Sequence, residues 1–244
     1  MTTRIAVVTG GGSGIGRATC TRLTADGFTL AVLDVDDEAA KVAAGPDGLG
    51  CAADVADQDA VDAAFAQVVA AFGRIDVLVN NAGVSGTVDA TICHETTVEE
   101  WDRVLAINTR GPFLCARAAL PVMLAQGSGH IITVASVAGQ VAFPGRCAYT
   151  ASKGAALMFA KSLAADYAAA GIRSNAVCPG FVRTPMTQWR LDVPELREQV
   201  EARIPTGRVA EPDDIADAIA VLASGRLGYM TGAALVVDGG WTVL

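Results

Sequence analysis

Short apolar runs alternate with amphipathic stretches from one end of the chain to the other. The apolar runs are rich in valine and isoleucine, and seven of them predict strands: 4–10, 29–34, 49–55, 75–83, 130–136, 172–180 and 233–240. Such continuous apolar content is typical of strands buried on both faces, as in a parallel sheet. Alanine-rich stretches between them, such as 57–72 and 149–170, have helical spacing. The alternation therefore predicts βαβ units wound around one parallel sheet.

This pattern predicts an α/β fold of the Rossmann type, with a doubly wound parallel sheet of about seven strands. The chain has 244 residues and shows no internal repeat, low-complexity tract or linker, so we expect a single domain over residues 1–244. One segment, at about 183–205, is longer than an ordinary connection and contains three prolines. Long insertions beyond the carboxyl end of a strand often cover a ligand, so we expect a small lid there, with a surface helical excursion as the alternative.

The charge balance narrows the class of partner. The chain carries 26 acidic and 18 basic residues, for a net charge of −8, which argues against nucleic acid and anionic membranes, since both need a basic face. No apolar run approaches the ~20 residues that cross a bilayer, and the first strand begins near Arg4, so we expect neither a membrane anchor nor a signal peptide. The six cysteines lie far apart, without a C-x-x-C pair or a histidine cluster, which predicts no metal site and free thiols in a cytoplasmic protein.

The glycine-rich stretch TGGGSGIG, at 9–16, follows the first strand and opens a helix. Gly10, Gly14 and Gly16 let the chain turn sharply and let the backbone approach a pyrophosphate, which then rests on the helix N-terminus. Many loops are rich in glycine, but a strand before and a helix after this one favour a nucleotide site.

Asp34 ends the second predicted strand, 18 residues after Gly16. A carboxylate at this place accepts hydrogen bonds from the adenosine ribose hydroxyls and repels a 2′-phosphate. Ser13 supplies no positive charge to offset that repulsion, and Arg17, inside the helix, is better suited to a surface role. The sequence therefore predicts NAD as the cofactor rather than NADP.

Further motifs follow in order along the chain: Asp54-Val55, NNAG at 80–83, Asn108, Ser136, YTASK at 149–153, PG at 179–180 and Thr184. With these motifs the chain resembles the short-chain dehydrogenase/reductase family over its full length. The resemblance implies contacts with the adenine, the groove and the nicotinamide end of the cofactor. The implied cofactor-binding residues are Gly10, Ser13, Gly14, Ile15, Gly16, Asp34, Asp54, Val55, Asn81, Ala82, Gly83, Tyr149, Lys153, Pro179, Gly180, Val182 and Thr184.

Tyr149 and Lys153 lie four positions apart, so both project from one face of a helix. We expect the lysine ammonium, helped by the positive nicotinamide, to lower the pKa of the phenol, which then removes the hydroxyl proton while hydride leaves carbon. The same lysine can hold the nicotinamide ribose, and Ser136 would hydrogen-bond the substrate oxygen. Asn108 interrupts the helical stretch 97–125, and the resemblance implies that it holds a water linking Lys153 to solvent. The implied catalytic residues are Asn108, Ser136, Tyr149 and Lys153.

The stretches 141–153 and 184–205 bear on the substrate, because they resemble the hydroxypropyl-coenzyme M dehydrogenase branch of this family. Members of that branch oxidise a small secondary alcohol that carries a sulfonate. The resemblance implies that Arg146 and Arg190 bind an anionic tail and that Trp189 forms an apolar wall. Surface ion pairs are the alternative for the two arginines, and the lid would then cover a neutral secondary alcohol. The implied substrate-binding residues are Ser136, Phe143, Arg146, Trp189 and Arg190.

Two other functions compete with this interpretation. An NADPH-dependent 3-oxoacyl-carrier reductase has the same catalytic residues, but Asp34 and the lack of a basic residue at 13 or 35 weigh against it. An NAD-sensing regulatory protein without chemistry would be expected to have lost Ser136, Tyr149 or Lys153, and all three are intact.

The resemblance also implies a homotetramer. The apolar tail 234–244 gives modest support, because an exposed Trp241 or Leu244 would be costly unless it packed against something. Packing within the subunit is the competing explanation.

Overall fold

The fold is known from a computed structural model, which describes residues 3–86 and 92–243. Within these residues seven strands form one parallel sheet in the order β3-β2-β1-β4-β5-β6-β7. The strands are β1 (Arg4–Thr9), β2 (Phe28–Asp34), β3 (Leu49–Ala52), β4 (Val77–Asn80), β5 (Gly129–Val134), β6 (Ile172–Pro179) and β7 (Ala234–Val237). This confirms the predicted α/β, Rossmann-type sheet.

Helices connect successive strands and cover both faces of the sheet. They are α1 (Gly14–Ala25), α2 (Asp37–Ala44), α3 (Gln58–Phe72), α4 (Val98–Leu105), α5 (Gly111–Gln126), α6 (Cys147–Tyr167), α7 (Pro185–Leu191), α8 (Pro194–Glu201) and α9 (Pro212–Ala223). A π turn (Ala106–Arg110) joins α4 to α5, and short 3₁₀ turns lie at Cys93–Glu95, Val137–Gly139, Ala168–Ala170 and Trp241–Val243. None of the helices in the described ranges has the length and apolar content needed to span a membrane.

The core has two layers because successive strand residues point to opposite faces of the sheet. Val7, Leu78 and Ile131 pack on one side with residues from α3 and α5. Val8 and Val79, the next residues along β1 and β4, pack on the other side with residues from α1 and α9. Continuous apolar runs are thus required, and this explains why the strands could be recognised from the sequence.

Several predicted strands were too long at their carboxyl ends. The sequence predicted 49–55 and 75–83, whereas β3 ends at Ala52 and β4 ends at Asn80. The residues beyond these ends leave the sheet and turn into loops along its carboxyl edge. The order of strands reverses between β1 and β4, and at such a point the two loops diverge and leave a crevice.

Candidate active site

A cavity of about 380 Å³ lies at this crevice, at the carboxyl edge of the sheet. The carboxyl ends of six strands, the loops after them and the start of α7 contribute to its wall. Sixteen of the predicted cofactor-binding residues line this one cavity: Gly10, Ser13, Gly14, Ile15, Asp34, Asp54, Val55, Asn81, Ala82, Gly83, Tyr149, Lys153, Pro179, Gly180, Val182 and Thr184.

The glycine-rich turn between β1 and α1 has the shape that a pyrophosphate site requires. Gly10 and Gly14 have φ angles of 64° and 48°, in the left-handed region that favours glycine. Gly16 lies behind the cavity wall, where a Cβ would overlap the Gly10 carbonyl oxygen. Ser13 precedes α1 with extended backbone and makes no capping hydrogen bond through its side chain. The first amide groups of α1 are therefore left for an anion, and the site fits a dinucleotide.

Asp34 is held at the cavity wall by backbone amides. Its Oδ2 accepts a hydrogen bond from the Gly12 N–H at 2.8 Å, and its Oδ1 accepts one from the Asp36 N–H at 3.1 Å. Val35, the next residue in the wall, carries no charge, and Arg17 is exposed and does not line the cavity. The charge at this end of the cavity is therefore negative.

Asn81 holds the glycine-rich turn in place from the neighbouring strand. Its Nδ2 donates to the carbonyl oxygens of Thr9 and Gly10, each at 3.0 Å. The Thr9 hydroxyl oxygen accepts from the N–H groups of Asn81 and Ala82, also at 3.0 Å. These bonds link the ends of β1 and β4, so the Asn81 side chain supports the cavity floor.

Asn108 lies in the π turn, where the sequence predicted an interruption of the helical stretch. It is buried, and its side chain bonds both backbone groups of Val84, each at 2.8 Å. Its Nδ2 also donates to the Ser152 hydroxyl at 3.0 Å, and that hydroxyl donates to the Tyr149 carbonyl oxygen at 2.7 Å. Asn108 does not line the cavity; it ties the loop after β4 to the first turns of α6.

Ser136, Tyr149 and Lys153 meet on one wall of the cavity. The Ser136 hydroxyl oxygen accepts from the Ala138 N–H at 3.1 Å. Lys153 Nζ donates to the Val134 carbonyl oxygen at 2.9 Å and lies 5.7 Å from the centre of the Tyr149 ring. The phenol, hydroxyl and ammonium thus come from one helix and one strand end and share the same space.

Burial, rather than Lys153, has the largest effect on the acidity of Tyr149. Burial raises the pKa of the phenol because it disfavours the charged form, while the Ser136 hydroxyl and the Arg146 guanidinium oppose this rise. Burial also lowers the pKa of Lys153 to about 8. Among the protein groups alone, burial therefore outweighs the lowering of the Tyr149 pKa that was predicted from Lys153. The contribution of a bound nicotinamide stays a prediction.

The predicted substrate-binding residues other than Ser136 lie outside this cavity wall, towards α7. Arg146 precedes α6, and its Nη1 donates to the Ser85 carbonyl oxygen at 3.3 Å. The guanidinium carbon of Arg190 lies 5.9 Å from the centre of the Phe181 ring, and its Nε is buried without a hydrogen-bond partner among the described residues. Trp189 is 39% exposed on α7.

The two arginines influence each other. Burial lowers the pKa of Arg146, and the nearby positive charge of Arg190 lowers it further. Both side chains are half-buried, and the negative charges of Tyr149 and Glu100 act on Arg146 in the opposite direction. Two guanidinium groups that repel each other beside a cavity suit a negatively charged ligand.

Some residues of the cavity wall were not predicted. Leu33 and Ala53 directly precede Asp34 and Asp54, so their position in the wall could have been inferred from these neighbours. Val35, Val84, Ile107, Val134, Ala135, Pro185, Met186 and Thr187 complete the wall. Two polar residues near these stretches of the sequence, His94 and Gln140, do not line the cavity. His94 is exposed, and Gln140 donates to the Cys178 sulfur at 3.5 Å.

Comparisons with known proteins identify relatives that match nearly the whole chain. The family described as Enoyl-(Acyl carrier protein) reductase matches residues 10–242. The chain is 52% identical to 2-(R)-hydroxypropyl-CoM dehydrogenase of Xanthobacter autotrophicus, over 99% of both chains. It is 40% identical to the 3-oxoacyl-[acyl-carrier-protein] reductase FabG of Staphylococcus aureus, over 98% of both. The crystal structure of gox2181 is similar with a TM-score of 0.95 and 34% identity, over 100% of this chain and 97% of that one.

These similarities extend over almost the whole chain. Short-chain dehydrogenases use nicotinamide cofactors, which the cavity at the β1–β4 crevice fits. The chain belongs to the short-chain dehydrogenase/reductase family of oxidoreductases.

Proposed function

We propose that this protein is an NAD-dependent dehydrogenase that interconverts a secondary alcohol and a ketone by hydride transfer. Its substrate would be a small hydroxyalkyl compound with an anionic tail, of the 2-hydroxypropyl-coenzyme M type. The observation that carries the proposal is that Ser136, Tyr149 and Lys153 line the same cavity as the glycine-rich turn and Asp34. The identity of 52% to a hydroxypropyl-coenzyme M dehydrogenase supports the substrate class.

The cofactor would lie along the carboxyl edge of the sheet. The amide groups at the start of α1 would hold its pyrophosphate, and Asp34 would accept hydrogen bonds from the adenosine ribose. Residues 179–184 would hold the nicotinamide end. The bound nicotinamide supplies the hydride acceptor for alcohol oxidation.

Proton transfer would be the task of Tyr149. The phenolate accepts the hydroxyl proton of the alcohol, while Ser136 donates a hydrogen bond to the substrate oxygen. Lys153, whose pKa burial lowers to about 8, would hold the ribose and carry positive charge beside the phenolate. Asn108 would hold the water that connects Lys153 to solvent.

Arg146 and Arg190 would bind the anionic tail. Arginine's planar fork suits the oxygens of a sulfonate or carboxylate, and a lid over residues 183–205 strengthens the pairing by excluding water. The unpartnered buried Nε of Arg190 is a donor that such a tail could satisfy.

The test is a panel of secondary alcohols with and without a sulfonate or carboxylate, assayed on the wild type and on Arg146→Ala and Arg190→Ala. Each substitution should raise KM for the anionic members by about ten- to a hundredfold, because one charge-assisted contact is lost. KM for 2-propanol and 2-butanol should stay the same. Arg197→Ala, on the exposed surface of α8, is the matched control. A wild type without preference for anionic alcohols would contradict the anionic tail.

A 3-oxoacyl-carrier reductase that uses NADPH is the second candidate, because the chain is also 40% identical to FabG. Asp34 and uncharged Val35 argue against it, since neither would stabilise a 2′-phosphate. Turnover of a 3-oxoacyl thioester with NADPH, faster than any alcohol oxidation with NAD, would favour this candidate.

A further inference from the structure

The carboxyl-terminal turn, which the proposed chemistry does not use, packs inside the subunit. Trp241 lies in this turn and is only 8% exposed. Its ring stacks against Phe143 and Phe181, with ring centres 5.9 and 6.2 Å away. The guanidinium carbon of Arg203 lies 4.4 Å from the centre of the Trp241 ring. The tail is therefore enclosed by residues from three other parts of the chain.

Hydrogen bonds, most of them to the Asp238 side chain, fix the direction of this turn after β7. The Asp238 carboxylate accepts from the N–H groups of Gly240 and Thr242, at 2.8 and 2.9 Å, and from the Thr242 hydroxyl at 2.7 Å. The Thr206 N–H donates to the Gly239 carbonyl oxygen at 3.1 Å. The tail is thus held against the chain that follows α8.

The two aromatic partners of Trp241 are linked in the chain to the proposed active site. Phe143 lies between Ser136 and Tyr149 in the chain and was predicted to contact substrate. Phe181 is flanked by two residues of the cavity wall, and Arg190 lies over its ring. Trp241 therefore contacts one predicted substrate-binding residue and one residue whose neighbours in the chain line the cavity.

The same cluster includes the buried side chains of the two short helices before it. Leu191 of α7 and Val200 of α8 pack with Ile204, Val209 and Trp241 in one apolar cluster. This is the region that the sequence predicted as a lid. The tail thus packs against the predicted lid segment and against Phe143 and Phe181 in one cluster.

We propose that Trp241 is a positioning residue that fixes Phe143, Phe181 and the helices α7 and α8 and thereby sets the affinity for the alcohol substrate. This role rests on the proposed alcohol dehydrogenase function. Trp241 acts through its neighbours, since it is not part of the cofactor cavity wall. Its loss should therefore weaken substrate binding more than cofactor binding, since Phe181 and the start of α7 adjoin the cavity wall.

The variants Trp241→Ala and Trp241→Phe test this role, with Val243→Ala in the same turn as the matched control, because Val243 is 77% exposed. Trp241→Ala removes two aromatic contacts and should raise KM for secondary alcohols by about tenfold. Trp241→Phe should restore most of the affinity. The dissociation constant of NAD should rise less than KM in Trp241→Ala and should not change in Val243→Ala.

Hydrogen exchange gives a readout that needs no substrate. In Trp241→Ala, amides of α7 and α8 should exchange faster, while those of β1 and β4 should be unchanged. Unchanged KM together with unchanged exchange in α7 and α8 would overturn the proposal. Faster exchange throughout the sheet, or a loss of NAD affinity as large as the rise in KM, would also overturn it, because Trp241 would then serve general stability. If the wild type oxidises no alcohol, the proposed function fails, and the exchange rates still decide whether the tail holds the lid segment.

Discussion

Asp34 is the residue on which the choice of cofactor depends. Its carboxylate is oriented by the N–H groups of Gly12 and Asp36 and lines the cavity beside uncharged Val35. We expect kcat/KM to be higher with NAD than with NADP, because the carboxylate repels a 2′-phosphate. Asp34→Ala should weaken the binding of NAD by about ten- to a hundredfold, because a charge-assisted contact is lost. The difference in kcat/KM between NAD and NADP should become smaller.

Steady-state kinetics with both cofactors on wild type and Asp34→Ala measure this preference. Asp37→Asn is the matched control, since Asp37 pairs with Lys41 on the exposed surface of α2. Equal efficiency with NADP in the wild type would show that Asp34 does not select the cofactor.

Single residues could be predicted where a motif ties chemistry to a fixed place in the chain. Asp34, Ser136, Tyr149 and Lys153 come from such motifs, and the structure brings all four to one cavity. The acidity of Tyr149 could not be predicted, because it depends on burial and on where Lys153 Nζ points. Both depend on tertiary packing that local spacing does not specify.

At the scale of elements, β5 and β6 share a buried polar network near their amino ends. His130 Nδ1 lies 3.1 Å from the Leu222 carbonyl oxygen, to which it donates, and Asn175 Nδ2 donates to His130 Nε2 at 2.9 Å. Burial lowers the pKa of His130 to about 3, and the positive charge of Arg173 adds to this effect. The folded protein therefore keeps this imidazole neutral.

This network predicts how stability depends on pH. The folded-state pKa of His130 is below its ordinary value of 6.5, so protonation favours the unfolded chain. The contribution of neutral His130 to the free energy of unfolding is present in full above about pH 6.5. It should fall by about 1.4 kcal/mol for each pH unit below that value.

Urea unfolding of the wild type and His130→Gln between pH 4.5 and 7.5 measures the effect, roughly spanning the window in which an unfolded histidine titrates. In His130→Gln the free energy of unfolding should depend less steeply on pH, by the slope that uptake of one proton contributes. His94→Gln, on an exposed side chain, should keep the wild-type slope. Identical slopes in wild type and His130→Gln would contradict a buried neutral His130.

The number and order of the strands could be predicted, because strands that are buried on both faces have continuous apolar sequences. Their ends were less predictable, since residues such as Ala53 and Asn81 continue an apolar or motif pattern after leaving the sheet. The interruption at Asn108 was expected, but its form as a π turn depends on the bonds to Val84 and Ser152.

At the scale of the whole molecule, the carboxyl tail corrects one argument from the sequence. An exposed Trp241 would support self-association, but Trp241 packs within the subunit and is only 8% exposed. Leu244, the other residue of that argument, lies outside the described residues. The proposed homotetramer instead relies on family resemblance and on exposed apolar side chains such as Phe113 and Met158 on α5 and α6.

The central claim is that this cavity oxidises a secondary alcohol with NAD and that Tyr149 moves the proton. The most direct test is NADH formation from NAD and 2-hydroxypropyl-coenzyme M by wild type and Tyr149→Phe, with NAD binding measured on both. Tyr229→Phe, on a fully exposed ring, controls for loss of a phenol. We predict that Tyr149→Phe binds NAD like the wild type and forms NADH about 10²- to 10⁴-fold more slowly. A variant that keeps a substantial part of the wild-type rate would contradict the account.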